Sequence, residues 1–88
     1  MPPKVLLYSS SFCSYCSAAK SLLRDKGVEF EEINLDLRPL EVAERIAQLT
    51  GQTTVPQVFI GERHVGGYTD LKAANDRGDL DGWLAGVE

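Results

Sequence analysis

The sequence predicts an α/β fold, with a four-stranded mixed sheet flanked by helices in the order βαβαββαα. Three observations carry this prediction. Apolar runs with valine, isoleucine and aromatic residues alternate with stretches of helical periodicity in the first half of the chain. Two more such runs follow with only a tight turn between them, and glycine or proline marks the boundaries. At 88 residues the chain has room for one domain, predicted over residues 1–88.

The first half of the chain predicts a strand, a helix, a second strand and a second helix. The first strand covers the apolar run 4–8, and the first helix covers 13–26, where apolar and small residues recur at helical spacing. The second strand is predicted over 28–35, and the second helix over 39–50, with proline at its start and glycine after its end. This helix should bury its apolar residues, Leu40, Ala43, Ile46, Ala47 and Leu49.

The second half predicts a hairpin followed by two short helices. Strands over 58–60 and 63–65 are separated by a two-residue turn and should pair antiparallel. Thr69 is the expected N-cap of a helix over 70–76, and Asp79 is the expected N-cap of the last helix. The last helix should face the core through its apolar residues, Leu80, Trp83 and Leu84. With the first two strands parallel across a right-handed helical connection, this is the order of the thioredoxin fold.

Composition and charge narrow the classes of function. The chain is 43% hydrophobic and 25% charged, with a formal net charge of −4 and basic residues scattered among more numerous acidic ones. A nucleic-acid-binding protein normally carries a basic stripe, so no nucleic-acid partner is expected. No apolar run approaches the roughly 18 residues of a membrane span, and the run near the N-terminus is too short for a signal peptide. These features predict a cytoplasmic protein without a membrane partner.

Both cysteines lie in one unit, Cys13-Ser14-Tyr15-Cys16. A disulfide across so small a loop removes little entropy from the unfolded chain, so stabilisation is a poor reason for it. In a reducing compartment such a pair indicates redox chemistry or metal binding. A zinc site needs four ligands, and the further candidate is His64, which is expected to face solvent in the hairpin. The pattern therefore favours redox chemistry, with no metal bound by the chain alone.

The position of the pair assigns a role to each thiol. Cys13 is expected at the N-terminus of the first helix, where unpaired backbone N–H groups and the helix dipole favour an anion. Cys16 follows one helical turn later and on the same side. We therefore predict that Cys13 is the nucleophile and Cys16 the resolving thiol. Attack on a disulfide would then proceed through a mixed disulfide.

The segment Thr54-Val55-Pro56 places a proline at the entrance to a strand, where it cannot donate to the ladder. A cis Val55–Pro56 bond would leave the N–H and C=O of Val55 free to pair with an extended peptide. A trans proline that opens an edge strand explains the residues equally well. The sequence leaves both alternatives open.

The segment Gly66-Gly67-Tyr68-Thr69-Asp70 has two glycines before the start of a helix. Free N–H groups there could hold a carboxylate while Asp70 binds an ammonium group. A plain turn with a capping threonine explains the same residues. These two alternatives also stay open.

Taken in order, these pieces resemble the dithiol glutaredoxins over residues 5 to about 84. The resemblance rests on the ordered set Cys13-Ser14-Tyr15-Cys16, Thr54-Val55-Pro56, Gly66-Gly67 and Asp70. It implies a thioredoxin fold with Pro56 cis and a glutathione site beside Cys13. It also implies removal of glutathione from protein thiols, which needs Cys13 alone, and reduction of protein disulfides, which also needs Cys16. Glutathione would be the co-substrate, and disulfide-containing or glutathionylated proteins would be the partners of a monomer.

The same resemblance implies which residues bind glutathione. The main chain of Val55 would pair with the cysteinyl residue, and Thr69 and Asp70 would hold the γ-glutamyl end. Many relatives carry a lysine three residues before the first cysteine, where this chain has a serine, so Arg38 is predicted to bind the glycyl carboxylate, with Arg45 as the second candidate. An exposed loop arginine without that role explains Arg38 equally well. Tyr68 is expected at the border of this site. The full predicted set is Tyr15, Arg38, Thr54, Val55, Pro56, Gly67, Thr69 and Asp70.

Ser14 stands where proline is the commonest residue in the dithiol glutaredoxins. Some relatives without that proline hold a [2Fe–2S] cluster between two subunits, ligated by each first cysteine and by one glutathione per subunit. The alternative function is therefore a cluster-bridged dimer in which Cys13 is the metal ligand. A neutral variation at Ser14 explains the residue as well. A third hypothesis is a thioredoxin-like reductant recycled by a flavoprotein, and the glycine pair followed by Asp70 argues against it.

Overall fold

The computed structural model describes residues 3–86; Met1, Pro2, Val87 and Glu88 of the predicted domain lie outside the described residues. Within that range the strands and α-helices follow the predicted order βαβαββαα, which is confirmed. In chain order they are β1 (Val5–Ser9), α1 (Ser14–Asp25), β2 (Glu31–Asn34), α2 (Leu40–Thr50), β3 (Gln57–Ile60), β4 (Arg63–Gly66), α3 (Tyr68–Arg77) and α4 (Asp79–Leu84). None of the helices described between residues 3 and 86 is long and apolar enough to cross a membrane.

The strands form one mixed sheet in the order β2-β1-β3-β4. As the sequence predicts, β1 and β2 run parallel, whereas β3 is antiparallel to β1 and β4 is antiparallel to β3. Tyr8 near the end of β1 pairs with Gln57 at the start of β3. This register places the loop after β1, which leads to Cys13, beside the segment that enters β3 at Pro56. The two halves of the predicted site therefore meet at one end of the sheet.

The core lies between one face of the sheet and helices α1, α3 and α4. Alternate side chains of β1 and β3 point into it, namely Val5, Leu7, Val58 and Ile60. Buried aliphatic residues of the helices complete the cluster: Ala19, Leu23, Leu71, Ala74 and Leu80. Trp83 packs at the edge of this core, as predicted, and the Arg63 guanidinium group lies 4.4 Å from its ring centroid.

The second strand is shorter than the predicted span of 28–35. Its ladder with β1 begins at Glu31, and after Asn34 the chain turns into a short 3₁₀ helix, Leu35–Leu37. The Oδ1 atom of Asn34 accepts a hydrogen bond from the N–H of Asp36 at 2.9 Å and stabilises that turn. A local hydrogen bond from side chain to backbone thus competes with continuation of the strand.

Two of the residues predicted to be buried by α2 are exposed. Leu40 and Leu49 are each 69% exposed, whereas Ile46 is buried, and Ala43 and Ala47 are half-buried. Leu40 precedes Ile46 by six residues, which turns its side chain about 120° around the helix. The rest of the protein covers a narrower stripe of α2 than the apolar pattern suggests, so the prediction is wrong at both leucines.

Both C-terminal helices begin differently from the prediction. The N-cap of α3 is Gly67, so Thr69 lies inside the first turn and the prediction that it caps the helix is wrong. The Asp70 carboxylate satisfies the exposed donor instead, because its Oδ2 atom accepts a hydrogen bond from Gly67 N–H at 3.1 Å. Asp79 is the first residue of α4 and not its cap. Its carboxylate accepts a hydrogen bond from Arg77 Nε at 3.0 Å.

Candidate functional site

Cys13 is the N-cap of α1 and is half-buried at the end of the loop after β1. Its Sγ atom accepts a hydrogen bond from the main-chain N–H of Cys16 at 3.2 Å. Its carbonyl oxygen accepts a hydrogen bond from the N–H of Ser17, also at 3.2 Å. The sulfur thus takes the place of a capping oxygen, and the N–H groups and dipole of α1 favour a negative charge on it.

Cys16 is 1% exposed and lies one turn into α1. Burial raises the pKa of its thiol, and the contact with Cys13 raises it further, to about 11. The main chain of Ser10 and the ammonium group of Lys20 lower the pKa of Cys16 by smaller amounts. Cys16 is therefore a neutral thiol at neutral pH, next to the more accessible sulfur of Cys13.

The segment at the entrance to β3 faces this pair of thiols. The Val55–Pro56 bond is cis, so the structure has the first of the two alternatives that the sequence leaves open. The Sγ atom of Cys13 lies 4.0 Å from the carbonyl oxygen of Val55. The N–H of Val55 makes no hydrogen bond to any residue between 3 and 86. This main-chain donor is therefore available to a ligand beside the thiol.

The glycine pair at the end of β4 leads into α3 beside the same segment. Gly66 has a φ of +115°, and a Cβ atom there would overlap the carboxylate of Asp70. A Cβ atom on Gly67 would lie 3.4 Å from the carbonyl oxygen of Pro56. Glycine is therefore required at position 66, where it leaves room for the Asp70 carboxylate, whereas a Cβ atom at position 67 would be in ordinary contact with the cis-proline segment. Because the N–H of Gly67 already donates to Asp70, that donor is not free to hold a carboxylate.

A groove of about 230 Å³ lies between the cis-proline segment, Tyr15 and the start of α3. It is lined by every predicted glutathione-binding residue except Arg38, and by Gln52 and Tyr68. The rings of Tyr15 and Tyr68 have centroids 6.3 Å apart on its wall. Gln52 lies outside the predicted set, because it carries no signal of its own beyond its nearness to the Thr54-Val55-Pro56 segment. The lining residues are Tyr15, Gln52, Thr54, Val55, Pro56, Gly67, Tyr68, Thr69 and Asp70.

The structure does not bring Arg38 to this groove. Arg38 is exposed, at the end of the 3₁₀ helix that follows β2. Arg45, on α2, lines a separate cleft that includes Tyr8. Among residues 3–86, no lysine or arginine lines the groove itself. Binding of the glycyl carboxylate by Arg38 therefore stays a prediction, without a contact that places the guanidinium group at the groove.

A polar network behind the cysteine loop joins β1, β2 and α1. The fully buried Ser9 donates a hydrogen bond to Oε2 of Glu32 at 2.8 Å, and Lys20 Nζ donates to the same oxygen at 3.0 Å. The Ser9 hydroxyl and then the Lys20 ammonium group hold the pKa of Glu32 below its usual range. The network anchors the end of β1, from which the loop to Cys13 departs.

The prediction that His64 faces solvent holds only in part. The residue is half-buried in β4, and its ring centroid lies 5.0 Å from that of Phe59. Its Nε2 atom lies 2.6 Å from Oε1 of Gln57, a fully buried side chain of β3. A buried amide needs hydrogen-bond partners, and the neighbouring strand supplies one. The alternation of apolar and polar residues in so short a hairpin does not indicate this hydrogen bond.

A half-buried thiol and a buried one at the end of such a sheet place the protein among the thioredoxin-fold proteins that carry a redox-active cysteine pair. A family model described as Glutaredoxin matches residues 5–65. Three similar proteins identify the same family within this class. A glutaredoxin of Pseudomonas aeruginosa is 49% identical over 85 residues, which cover 97% of this chain and 99% of that protein. Glutaredoxin 3 of Escherichia coli is 46% identical over 77 residues, which cover 88% of this chain and 92% of that protein.

The third relative is a solved structure, the crystal structure of a buckwheat glutaredoxin–glutathione complex. It superposes with a TM-score of 0.89 at 33% identity, covering 93% of this chain and 76% of that chain. The chain therefore belongs to the glutaredoxin family, an oxidoreductase family whose general function is glutathione-dependent redox chemistry.

Proposed function

We propose that the chain is a glutathione-dependent thiol–disulfide oxidoreductase that reduces both glutathione mixed disulfides and protein disulfides. The observation that carries the proposal is the hydrogen bond from Cys16 N–H to Cys13 Sγ, beside the available N–H of Val55. On one side of the Cys13 sulfur, the N-terminus of α1 stabilises a negative charge. On the other side, the N–H of Val55 can pair with an extended peptide. In this proposal the protein acts as a cytoplasmic monomer, without a nucleic-acid or membrane partner.

Removal of glutathione from a protein thiol requires only the first cysteine. The Cys13 thiolate attacks the glutathione sulfur of the mixed disulfide, a Cys13–glutathione disulfide forms, and the protein thiolate leaves and takes a proton from solvent. A free glutathione thiolate then attacks the glutathione sulfur bound to Cys13. Oxidised glutathione forms and the Cys13 thiolate returns. The net reaction reduces one protein–glutathione mixed disulfide to a free protein thiol and converts one free glutathione molecule, together with the glutathione removed, to oxidised glutathione.

Reduction of a protein disulfide requires both cysteines. Cys13 attacks one sulfur, the other leaves as a thiolate, and a mixed disulfide joins Cys13 to the protein. Cys16 then loses its proton and attacks the Cys13 sulfur, which releases the reduced protein and leaves a Cys13–Cys16 disulfide. Two glutathione molecules reduce this disulfide and become oxidised glutathione. Because burial raises the pKa of the Cys16 thiol, the resolving step should become faster as the pH rises above neutral.

The groove offers complementary contacts to the peptide part of glutathione. The cysteinyl residue would pair with the main chain of Val55 as an added strand does. The γ-glutamyl ammonium group would bind the Asp70 carboxylate, whose Oδ1 atom retains acceptor capacity while Oδ2 accepts from Gly67 N–H. Thr69 and the ring of Tyr15 would contact the same ligand from either wall. The crystal structure of the buckwheat glutaredoxin with glutathione supports this ligand.

Glutathione-coupled reduction of a small mixed disulfide tests the proposal, with the native chain compared with Cys13→Ser and Cys16→Ser. Cys13→Ser should abolish turnover, because no nucleophile remains, and Cys16→Ser should retain it. With a protein disulfide as substrate, both variants should lose turnover. Reduction of the native chain by a thioredoxin reductase but not by glutathione, or persistent turnover by Cys13→Ser, would contradict the proposal.

A second candidate function is a dimer bridged by a [2Fe–2S] cluster, with Cys13 and one glutathione from each subunit as ligands. The observation in its favour is Ser14, an exposed first residue of α1 in place of the ring of a proline. Within residues 3–86 no three His, Cys, Asp or Glu side chains converge as a metal site, so the cluster would need a second subunit and glutathione. Purification without air distinguishes the candidates. Brown dimeric protein whose colour Cys13→Ser removes supports the cluster, and a colourless monomer contradicts it.

A further inference from the structure

Gln57 is a fully buried polar residue directly after the cis proline. Its Nε2 group donates to the main-chain carbonyl of Thr54 at 3.0 Å and to Oε1 of Gln52 at 2.8 Å. Its Oε1 atom lies 2.6 Å from Nε2 of His64. The amide therefore connects β4 to the loop that lines the groove, and both of its ends have partners.

These contacts permit one orientation of the amide. The Thr54 carbonyl can only accept a hydrogen bond, so the NH₂ end of Gln57 must face it. The Oε1 end then faces His64, whose Nε2 atom must carry a proton and donate it. A buried amide without hydrogen-bond partners is destabilising, so the network resists a flip of the side chain. The loop before the cis proline is held in one position as a result.

The bond to Thr54 sets the direction of the next N–H group along the chain. The Thr54 carbonyl and the Val55 N–H belong to one planar trans peptide, in which they point in opposite directions. Because the carbonyl is turned inward to Gln57, the Val55 N–H is turned away from the core. It has no hydrogen-bond partner between residues 3 and 86, and Val55 lines the groove. The buried amide of Gln57 thus orients the Val55 N–H so that it can donate to a ligand in the groove.

We infer that Gln57 is a positioning residue, which holds Thr54 so that the Val55 N–H can pair with the cysteinyl carbonyl of a bound glutathionyl group. The inference rests on the proposed function, because it concerns the same groove. Gln57 is itself 0% exposed and takes no part in the chemistry. Its removal should therefore weaken recognition of the glutathionyl group and leave the intrinsic reactivity of Cys13 unchanged.

The test compares two reactions of Cys13 in a Cys16→Ser background, with and without Gln57→Met. Glutathionylation by oxidised glutathione uses the groove, whereas alkylation by iodoacetamide does not. Methionine keeps the length of the side chain and removes both of its hydrogen-bonding groups. The loss of one oriented hydrogen bond should slow glutathionylation roughly tenfold and leave alkylation within about twofold of its starting rate.

His64→Phe is the matched control, because it removes the other partner of the same amide and keeps a ring beside Phe59. It should reduce stability about as much as Gln57→Met and slow glutathionylation less than about threefold, since the contact with Thr54 remains. Equal slowing of both Cys13 reactions by Gln57→Met, or no slowing of glutathionylation, would overturn the inference. If the background protein itself is not glutathionylated, the proposed function fails, and the inference fails with it.

Amide exchange followed by NMR tests the inference even if Gln57→Met does not fold. In isotope-labelled Cys16→Ser protein, the side-chain amide protons of Gln57 should exchange slowly both before and after glutathionylation of Cys13. The N–H of Val55 should exchange quickly before the reaction and become protected after it. A Val55 N–H that is protected from the start, or that stays unprotected in the adduct, would overturn the inference.

Discussion

The main-chain N–H of Cys16 donates a hydrogen bond to the Sγ atom of Cys13, with 3.2 Å between nitrogen and sulfur. Cys13 therefore caps the helix that contains the buried Cys16. Cys13 is half-buried and reaches solvent, whereas Cys16 is 1% exposed. The reactivities of two cysteines only three positions apart should therefore differ widely.

Alkylation should discriminate between the two thiols of the reduced, folded protein. At neutral pH, iodoacetamide is expected to modify Cys13 and spare Cys16, whose pKa is raised to about 11 by burial and by Cys13. Peptide mapping by mass spectrometry should locate a single label at Cys13, and a second label only after unfolding. Cys13→Ser provides the control and should stay unlabelled while folded. Labelling of both thiols at similar rates would contradict this assignment.

Stability should fall at alkaline pH because of Cys16. Burial and Cys13 raise the pKa of its thiol from 9.0 to about 11 in the folded state, while the unfolded chain keeps the lower value. Folding thus favours the protonated form, so the stabilisation is complete below pH 9.0 and is lost as the pH rises to about 11. The change amounts to about 3 kcal/mol at most. Urea unfolding across this range should show a steeper decline for the native chain than for Cys16→Ala, and parallel declines would count against the raised pKa.

Glu32 should contribute stability at neutral pH that disappears in acid. The Ser9 hydroxyl and then the Lys20 ammonium group hold the pKa of Glu32 below its ordinary 4.5. Stabilisation of this sign is present above 4.5 and is lost as the pH falls through the lower, folded-state value. Glu32→Gln should therefore lower the unfolding free energy at neutral pH and weaken its dependence on pH in the acidic range.

Glu31→Gln is the control for this measurement on the same strand. Glu31 pairs with Lys4 at 3.2 Å, but the two side chains are 52% and 70% exposed. Solvent screens such a pair, so its loss should change the unfolding free energy by less than about 0.5 kcal/mol. Equal losses from the two glutamine variants would show that the network around Glu32 has no special role.

Alanine should be tolerated less well at Gly66 than at Gly51. Both glycines have positive φ values, +115° and +71°, so alanine is strained at either position. The added methyl group finds open space at Gly51, whereas at Gly66 it overlaps the Asp70 carboxylate. We expect a loss of about 1 kcal/mol for Gly51→Ala and about 2–4 kcal/mol for Gly66→Ala. Only Gly66→Ala should also slow glutathionylation of Cys13, and equal losses of stability in urea unfolding would contradict the role of Asp70.

The parts of the fold that could be predicted have local signals. Apolar runs and their spacing predict the parallel pair of β1 and β2 and the hairpin of β3 and β4. The short loop between a strand and a helix is enough to place Cys13 at a helix N-terminus. The sequence alone left the isomer of the Val55–Pro56 bond open, because both isomers of an X–Pro bond are close in free energy. The structure shows the cis isomer, which the resemblance to glutaredoxins implies.

The parts that could not be predicted depend on contacts between elements. Leu40 and Leu49 fit the apolar pattern of α2, but no sequence rule says how much of that helix is covered. The carboxylate of Asp70 rather than the Thr69 hydroxyl satisfies the N–H at the start of α3, because the chain enters that helix through a glycine. The hydrogen bond between His64 and the buried Gln57 joins two strands, and the hydrophobic pattern of the sequence does not indicate it.

Trapping the first covalent intermediate tests the proposed mechanism most directly. Cys16→Ser protein is mixed with oxidised glutathione, and the product is examined by intact mass and peptide mapping. The expected product carries one glutathione in disulfide linkage at Cys13, and excess reduced glutathione should remove it. Cys13 that reacts with iodoacetamide yet forms no adduct with glutathione would contradict the mechanism, since a competent thiol would then lack the predicted site for its co-substrate.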